Sequence, residues 1–147
     1  MRNLISKRSK ELSKKMIKSI CILKNTFWNY GLESQLKWFK KYIKPEDIHN
    51  MIIQNDKLIG YTCLRYQKAK ATSFRNYLLF DTLIIEKSFR NKKLSYALMD
   101  LNLKKIRKEK KISFLKCNDN LVEFYSKFKW IILKKKNFKI VDGHCKH

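Results

Sequence analysis

The spacing of apolar residues changes twice along this chain, and these changes constrain the fold more than any other feature of the sequence. Residues 9–24 and 32–43 carry apolar side chains at helical spacing, residues 51–85 contain short runs of strand-forming residues, and residues 94–111 return to helical spacing. The succession of strand, helix and strand over 77–117 implies a right-handed crossover. The sequence therefore predicts an α/β fold in which a mixed sheet has helices on both faces.

The predicted order of elements is ααβββαβαββ, and residues 2–6 are a candidate for one more strand. Gln54-Asn55-Asp56-Lys57 is a good tight-turn sequence between two apolar runs and predicts a β-hairpin. Residues 77–85 are apolar on both faces, which favours a central strand. The remaining predicted elements are a strand at 112–117, a short helix at 121–128 and two closing strands at 130–133 and 138–141.

Length and composition bound the class of protein. The chain has 147 residues and is predicted to form a single domain over 1–147, and 44% hydrophobic residues exclude a disordered chain. No apolar run approaches the length of a membrane span, and the basic N-terminus lacks the apolar core of a signal peptide. We therefore expect a cytoplasmic protein that does not interact with membranes. Its four cysteines are predicted to be free thiols, and no metal site is predicted.

The net charge is strongly positive, with 35 Lys and Arg against 12 Asp and Glu, a formal +23. Such a field attracts polyanions, including nucleic acid or a phosphorylated small molecule. The excess is nearly all Lys and is spread along the chain, as expected from an AT-rich coding sequence regardless of function. A nucleic-acid partner is therefore conceivable but not favoured.

Two segments resemble the GNAT superfamily of acyl-CoA-dependent N-acyltransferases. Residues 83–99 are similar to the family's cofactor motif, in which a strand is followed by an [Arg/Gln]-x-x-Gly-x-[Gly/Ala] loop and a helix. Residues 118–130 are similar to its Asn…Phe-Tyr-x-x-x-Gly-Phe segment. The chain departs from the pattern in having Lys93 and Ser95 at the two small loop positions and Lys129 before Trp130.

The resemblance implies that acetyl-CoA (coenzyme A) is the co-substrate and that no metal is used. A helix N-terminus exposes unpaired amides and a positive dipole end, so the loop would bind the pyrophosphate, while the end of the central strand would pair with the pantetheine arm. The residues implied in cofactor binding are Leu83, Ile84, Ile85, Arg90, Asn91, Lys92, Lys93, Leu94, Ser95, Tyr96, Asn118 and Tyr125. Lys93 would replace glycine easily only if its φ were helical rather than left-handed.

Acyl transfer to an amine requires a group that accepts the amine proton, a donor for the oxyanion and an acid for the departing thiolate. The predicted catalytic residues are Asp81 as base and Tyr125 as acid, and Glu86 and His49 are reserves for the base. The family implies a backbone amide near Ile84 or Ile85 for the oxyanion. Other interpretations stay open for each side chain: Asp81 as a buried partner of a Lys, Arg or hydroxyl, Tyr125 as a core residue and Asn118 as a helix cap.

The sequence thus predicts an N-acetyltransferase that acts on a primary amine of a small molecule, with an amino sugar or a nucleotide-linked amino sugar as candidates. Direct transfer is expected, because neither Cys63 nor Cys117 has a recognisable activating histidine. The alternatives are a basic nucleic-acid-binding module and a catalytically inactive protein of this fold. The sequence predicts no oligomeric state.

Overall fold

The computed structural model describes residues 1–68 and 76–133, and its contacts divide the chain into two compact units. The first unit is Met1–Lys116 and the second is Cys117–His147. Each unit is described below by itself.

The first unit is built on a five-stranded sheet whose strands lie in the order β1-β2-β3-β4-β5. The strands are β1 (Arg2–Arg8), β2 (Ile48–Gln54), β3 (Lys57–Gln67), β4 (Tyr77–Ile85) and β5 (Ser113–Leu115). The first four are antiparallel to their neighbours, and β5 is parallel to β4. The mixed sheet and the crossover between its parallel strands are as the sequence predicted, and residues 2–8 do supply the additional strand.

Three helices pack against this sheet: α1 (Lys14–Asn25), α2 (Leu32–Tyr42) and α3 (Leu94–Glu109). Helix α1 begins later than the apolar spacing predicted, because Ser13 caps it by accepting a hydrogen bond from the Met16 amide at 3.1 Å, and residues 9–11 form a separate 3₁₀ turn. Helix α2 begins after Gly31, whose φ of 90° favours glycine. Pro45 lies shortly beyond its end, as expected of a helix stop.

The two faces of the sheet are covered by different helices, because successive strand residues point to opposite sides. Met51, Tyr61, Cys63 and Ile84 pack with α1 and α2 on one face. Ile52 and Ile59 pack with Leu94 and Leu98 of α3 on the other face. We call the first the α1/α2 face.

The β2–β3 hairpin turns as the sequence predicted. Asn55 and Asp56 have φ of 49° and 61°, and consecutive left-handed residues are typical of a two-residue hairpin loop. Asn and Asp tolerate this conformation better than most residues, so the turn chemistry and the backbone agree.

The second unit contains a 3₁₀ turn at Asp119–Leu121 and the short helix α4 (Val122–Ser126). The helix is shorter than the predicted 121–128. The prediction of a strand at 130–133 is wrong: these residues are described and irregular, and Ile131 and Ile132 are exposed. None of the described strands pairs with them, and apolar composition alone does not make a segment a strand. The predicted strand at 138–141 lies outside the described residues.

Cys21, Cys63 and Cys117 are free thiols, while Cys145 lies outside the described residues. Over residues 1–68 and 76–133, no helix has the length and apolar character needed to cross a bilayer.

Candidate active site

A bulge in β4 explains how a carboxylate sits in the middle of an apolar strand. The pairing of β4 with β3 shifts between Cys63↔Thr82 and Leu64↔Phe80, so Asp81 is the extra residue on β4. Bulges redirect side chains and are over-represented beside active sites. Here the bulge brings the Asp81 carboxylate to Arg65, whose Nη1 donates to Asp81 Oδ2 at 3.4 Å.

Arg65 and Asp81 lie on the α1/α2 face together with two residues from the helices. Arg65 follows Tyr61 and Cys63 at the two-residue period of β3, which places it on that face. Its guanidinium carbon lies 5.1 Å from the centre of the Trp38 ring, and Lys24 Nζ lies 4.1 Å from the same centre. Two basic side chains therefore lie against one indole ring, and one of them also contacts the Asp81 carboxylate. We call these four side chains the Trp38 cluster.

Burial disfavours the charged form of Lys24. The residue is 9% exposed, and desolvation lowers its pKa, an effect that the negative charge of Asp81 partly opposes. Neither Lys24 nor Arg65 is among the site residues predicted from the sequence. The two-residue period of β3 would have placed Arg65 beside Cys63, but nothing in the spacing of α1 distinguishes Lys24 from the many exposed lysines.

His49, a reserve candidate for the base, lies in a buried hydrogen-bonded chain. Its two ring nitrogens lie 2.7 Å from the Ser9 hydroxyl and 2.7 Å from the Tyr61 hydroxyl. The residue is 0% exposed, and burial lowers its pKa to about 4, so the ring is neutral near pH 7. The other reserve, Glu86, accepts a hydrogen bond from Ser88 at 2.5 Å and forms an ion pair with Lys57 at 3.5 Å.

The carboxyl-terminal half of β4 is paired on one side only, within the described residues. Strand β5 pairs with residues 78–80, whereas β3 pairs with β4 through Ile85. The Glu86 amide donates to the Ile59 carbonyl of β3 at 2.8 Å. Because amides alternate in direction along a strand, those of Leu83 and Ile85 point to the opposite, open edge.

The loop after β4 forms a cavity at the start of α3. The cavity has a volume of about 440 Å³ and is lined by Ile85, Phe89, Arg90, Asn91, Lys93, Leu94, Ser95 and Tyr96. Seven of the twelve predicted cofactor-binding residues thus line one cavity. The five that do not are Leu83, Ile84, Lys92, Asn118 and Tyr125. The amides of Leu94 and Ser95 are in the first turn of α3, where helix geometry supplies no acceptor.

Two residues of this loop adopt left-handed backbone. Asn91 has a φ of 61°, and Lys93, which precedes the first residue of α3, has a φ of 57°. Lys93 therefore keeps the conformation that glycine favours, rather than the helical φ that would suit its side chain. The Arg90 Nε donates to the Ile85 carbonyl at 3.0 Å and ties the loop back to the end of β4.

In the second unit, Tyr125 is nearly buried, and Asn118 precedes the 3₁₀ turn. Burial raises the pKa of Tyr125 to about 12, with a smaller contribution from Cys117. Asn118 occupies the cap position of the turn, but its side chain makes no capping hydrogen bond there. The Asn118 side chain therefore does not cap this turn.

Groups of three or more His, Cys, Asp or Glu side chains able to hold a metal ion are not found in the part of the chain that the structure describes.

Comparison with known proteins gives one family. The model of the acetyltransferase (GNAT) family matches residues 17–130, which include the α1/α2 face, the loop cavity and Tyr125. A comparison with curated protein sequences gave no match.

Solved structures share the fold at low sequence identity. ElaA of Escherichia coli is 18% identical, with 87% of this chain and 86% of that chain covered and a TM-score of 0.69. An acyl-CoA N-acyltransferase from Pseudomonas aeruginosa is 12% identical, with 92% and 90% covered and a TM-score of 0.74. Glucosamine-6-phosphate N-acetyltransferase from Arabidopsis thaliana is 13% identical, with 95% and 99% covered and a TM-score of 0.67.

The bulge in β4, the open edge of β4 and the cavity before α3 all lie within the part of the chain that the family model matches. The chain belongs to the acetyltransferase (GNAT) family.

Proposed function

We propose that this protein transfers an acetyl group from acetyl-CoA to a primary amine of a small molecule. The observation that carries the proposal is the continuity between the open edge of β4 and the cavity at the N-terminus of α3. An extended amide-containing arm can add to a strand edge, and a pyrophosphate suits a helix N-terminus. A coenzyme A molecule has both parts in this order.

The residues present suit that molecule. The amides of Leu83 and Ile85 face the open edge. Leu94 and Ser95, whose first-turn amides have no acceptor within the helix, line the cavity together with Lys93. When bound, acetyl-CoA supplies an acetyl group activated as a thioester. The Ile85 amide is our candidate for holding the oxyanion, because it points away from β3.

Asp81 is our candidate for the group that accepts the amine proton. An alkyl amine has a pKa of about 10.4, so a nearby carboxylate helps to bind the ammonium form and to accept its proton directly or through water. The contact with Arg65 is at 3.4 Å, long for a hydrogen bond, and the Asp81 side chain is 19% exposed. The carboxylate is thus only weakly paired and partly accessible, which supports this role over that of a fully buried structural partner.

Tyr125 is our candidate for the proton donor to the departing thiolate. Because its pKa is raised to about 12, the phenol stays protonated at neutral pH.

The substitution Tyr125→Phe removes the phenolic proton but keeps the ring. We expect kcat to fall by about 10- to 100-fold, at the lower end of general acid catalysis, with affinity for acetyl-CoA nearly unchanged. Unchanged kcat would remove Tyr125 from this role.

Direct transfer is supported by the state of the buried thiol on the α1/α2 face. Cys63 is 1% exposed, and burial raises the pKa of its thiol, so it is a poor nucleophile. We therefore expect intersecting, sequential initial-rate patterns when acetyl-CoA and amine are varied, rather than the parallel lines of a covalent intermediate.

The first experiment combines binding with turnover. Acetyl-CoA should raise the melting temperature and protect the amides of residues 90–96 from hydrogen exchange. Thiol release from acetyl-CoA should then be screened with amino sugars, polyamines, peptides and charged tRNA. Steeply salt-dependent binding to RNA or DNA with no effect of acetyl-CoA would favour the nucleic-acid-binding alternative instead.

A further inference from the structure

The Trp38 cluster holds more positive charge than its own carboxylate can balance. Lys24 comes from the last turn of α1, Trp38 from α2, Arg65 from β3 and Asp81 from the bulge in β4. Asp81 contacts Arg65. Within residues 1–68 and 76–133, no carboxylate is close enough to Lys24 to form an ion pair.

Arg65 is also incompletely satisfied. Its Nη1 contacts Asp81 at 3.4 Å, and its Nη2 contacts the Tyr42 carbonyl at 3.5 Å. Both distances are at the long end for hydrogen bonds. Its Nε is buried and, among the described residues, has no hydrogen-bond partner. A buried donor without an acceptor is costly, and so is a buried ammonium without a counter-charge.

One ligand chemistry would satisfy both residues. A phosphate or carboxylate accepts hydrogen bonds from several donors at once and carries the missing negative charge. Trp38 is only half-buried, so the cluster is not sealed from solvent. The amine of the same acceptor would then be near Asp81, which is part of the cluster.

We propose that Lys24 and Arg65 bind an oxyanion carried by the acceptor, so that the substrates are amines bearing a phosphate or a carboxylate. This inference rests on the proposed acetyltransferase function, since it assigns the acceptor to the side of the sheet that carries Asp81. A competing role for Lys24 is to act, as the neutral amine, as the base itself; its lowered pKa is compatible with that role. The two roles differ in which substitutions and which substrates are affected.

The test compares matched acceptors and matched variants. Glucosamine 6-phosphate is compared with glucosamine, and β-alanine with its amide, so that each pair differs in the oxyanion; the first pair tests a phosphate and the second a carboxylate. The variants are Lys24→Met, Lys24→Arg and Lys18→Met. Lys18 is an exposed lysine of α1, so its substitution changes the net charge equally but leaves the cluster intact.

For at least one pair, we expect the wild-type kcat/KM for the charged acceptor to exceed that for the neutral one by tenfold or more. Lys24→Met should remove at least tenfold of this preference through KM, while Lys24→Arg and Lys18→Met should retain most of it. Equal kcat/KM for both members of each pair would overturn the proposal. So would an equal loss for charged and neutral acceptors in Lys24→Met, since that result indicates a base or packing role.

Binding is measured separately, so that the outcome does not depend on turnover. Calorimetric titration with glucosamine 6-phosphate, β-alanine and inorganic phosphate should show binding to the wild type that Lys24→Met weakens tenfold or more. If acetyl-CoA neither binds nor is consumed, the proposed function fails, but this titration still tests the oxyanion site. If acetyl-CoA binds and none of these three anions does, the oxyanion site alone is disproved.

Discussion

The α1/α2 face and the loop before α3 differ in whether side chains or backbone provide their main feature. On the α1/α2 face, the side chains of Lys24, Arg65 and Asp81 supply charge from three separate elements. In the loop, the cavity is defined by backbone that turns through left-handed conformations at Asn91 and Lys93. Substituting a charged side chain should therefore lower activity strongly on the α1/α2 face. In the loop, a substitution should have little effect on activity, provided that the backbone keeps its conformation.

The largest effect should follow from removing the carboxylate in the bulge. We expect Asp81→Asn to lower kcat by about 10²- to 10⁴-fold, the range for loss of a general base, because the amide cannot accept the proton. The melting temperature should change little, since the Asp81 side chain is partly exposed and its contact with Arg65 is long. Rates of thiol release and thermal unfolding are measured together.

The matched control for this variant is Asp100→Asn, which neutralises an exposed carboxylate on α3. It should leave both activity and melting temperature as in the wild type. If Asp81→Asn instead fails to fold while the control folds normally, Asp81 is a structural partner of Arg65, and the distinction between the two regions loses its main support.

A second effect on the α1/α2 face is acid sensitivity through His49. Its pKa is about 4 in the folded state against an ordinary 6.5, so the unfolded chain binds a proton first as the pH falls. The stability that depends on neutral His49 is therefore complete above pH 6.5 and is lost progressively toward pH 4, by about 3 kcal/mol in total.

Urea unfolding of the wild type and of His49→Gln, compared at several values between pH 7 and pH 4, measures this contribution. Gln can still pair with the Ser9 and Tyr61 hydroxyls but does not titrate, so its stability should decrease less steeply with acid. Parallel stability curves for the two proteins would show that His49 is not the titrating group.

The sequence was sufficient for features that depend on local chemistry. The left-handed pair Asn55-Asp56, the stop after α2 and the strand–loop–helix over 77–109 could all be predicted from residue type and spacing. The position of Asp81 could be predicted as unusual, but not the bulge that turns it toward Arg65, because a bulge depends on the register between two strands.

Features that depend on contacts between distant elements could not be predicted. Lys24 is one of many lysines in the sequence, and only the packing of α1 against Trp38 and β3 makes it buried. The strand predicted at 130–133 was wrong for the converse reason, since apolar spacing does not show whether a pairing partner exists. The left-handed φ of Lys93 was contrary to residue preference and could be expected only from the family's glycine at that position.

The loop itself is tested by Lys93→Gly. Lys in the left-handed region costs about 1–2 kcal/mol, whereas Gly adopts it freely but loses more entropy on folding, so we expect a net stabilisation of about 0.5–1 kcal/mol. Lys92 does not have a positive φ, so Lys92→Gly, which removes the same charge, should destabilise by a similar amount. Urea midpoints measure both changes; a loss of stability in Lys93→Gly would contradict the backbone account of the loop.

The smallest effect should be that of Asn91→Gly. Asn91 has nearly the same φ as Lys93, 61° against 57°, but Asn tolerates the left-handed region and Lys does not. The gain from glycine should therefore be only a few tenths of a kcal/mol, clearly below that of Lys93→Gly. Equal gains in unfolding free energy at the two positions would mean that side-chain type does not determine the free-energy cost of the left-handed backbone. The α1/α2 face and the loop would then differ only in the charges of their side chains.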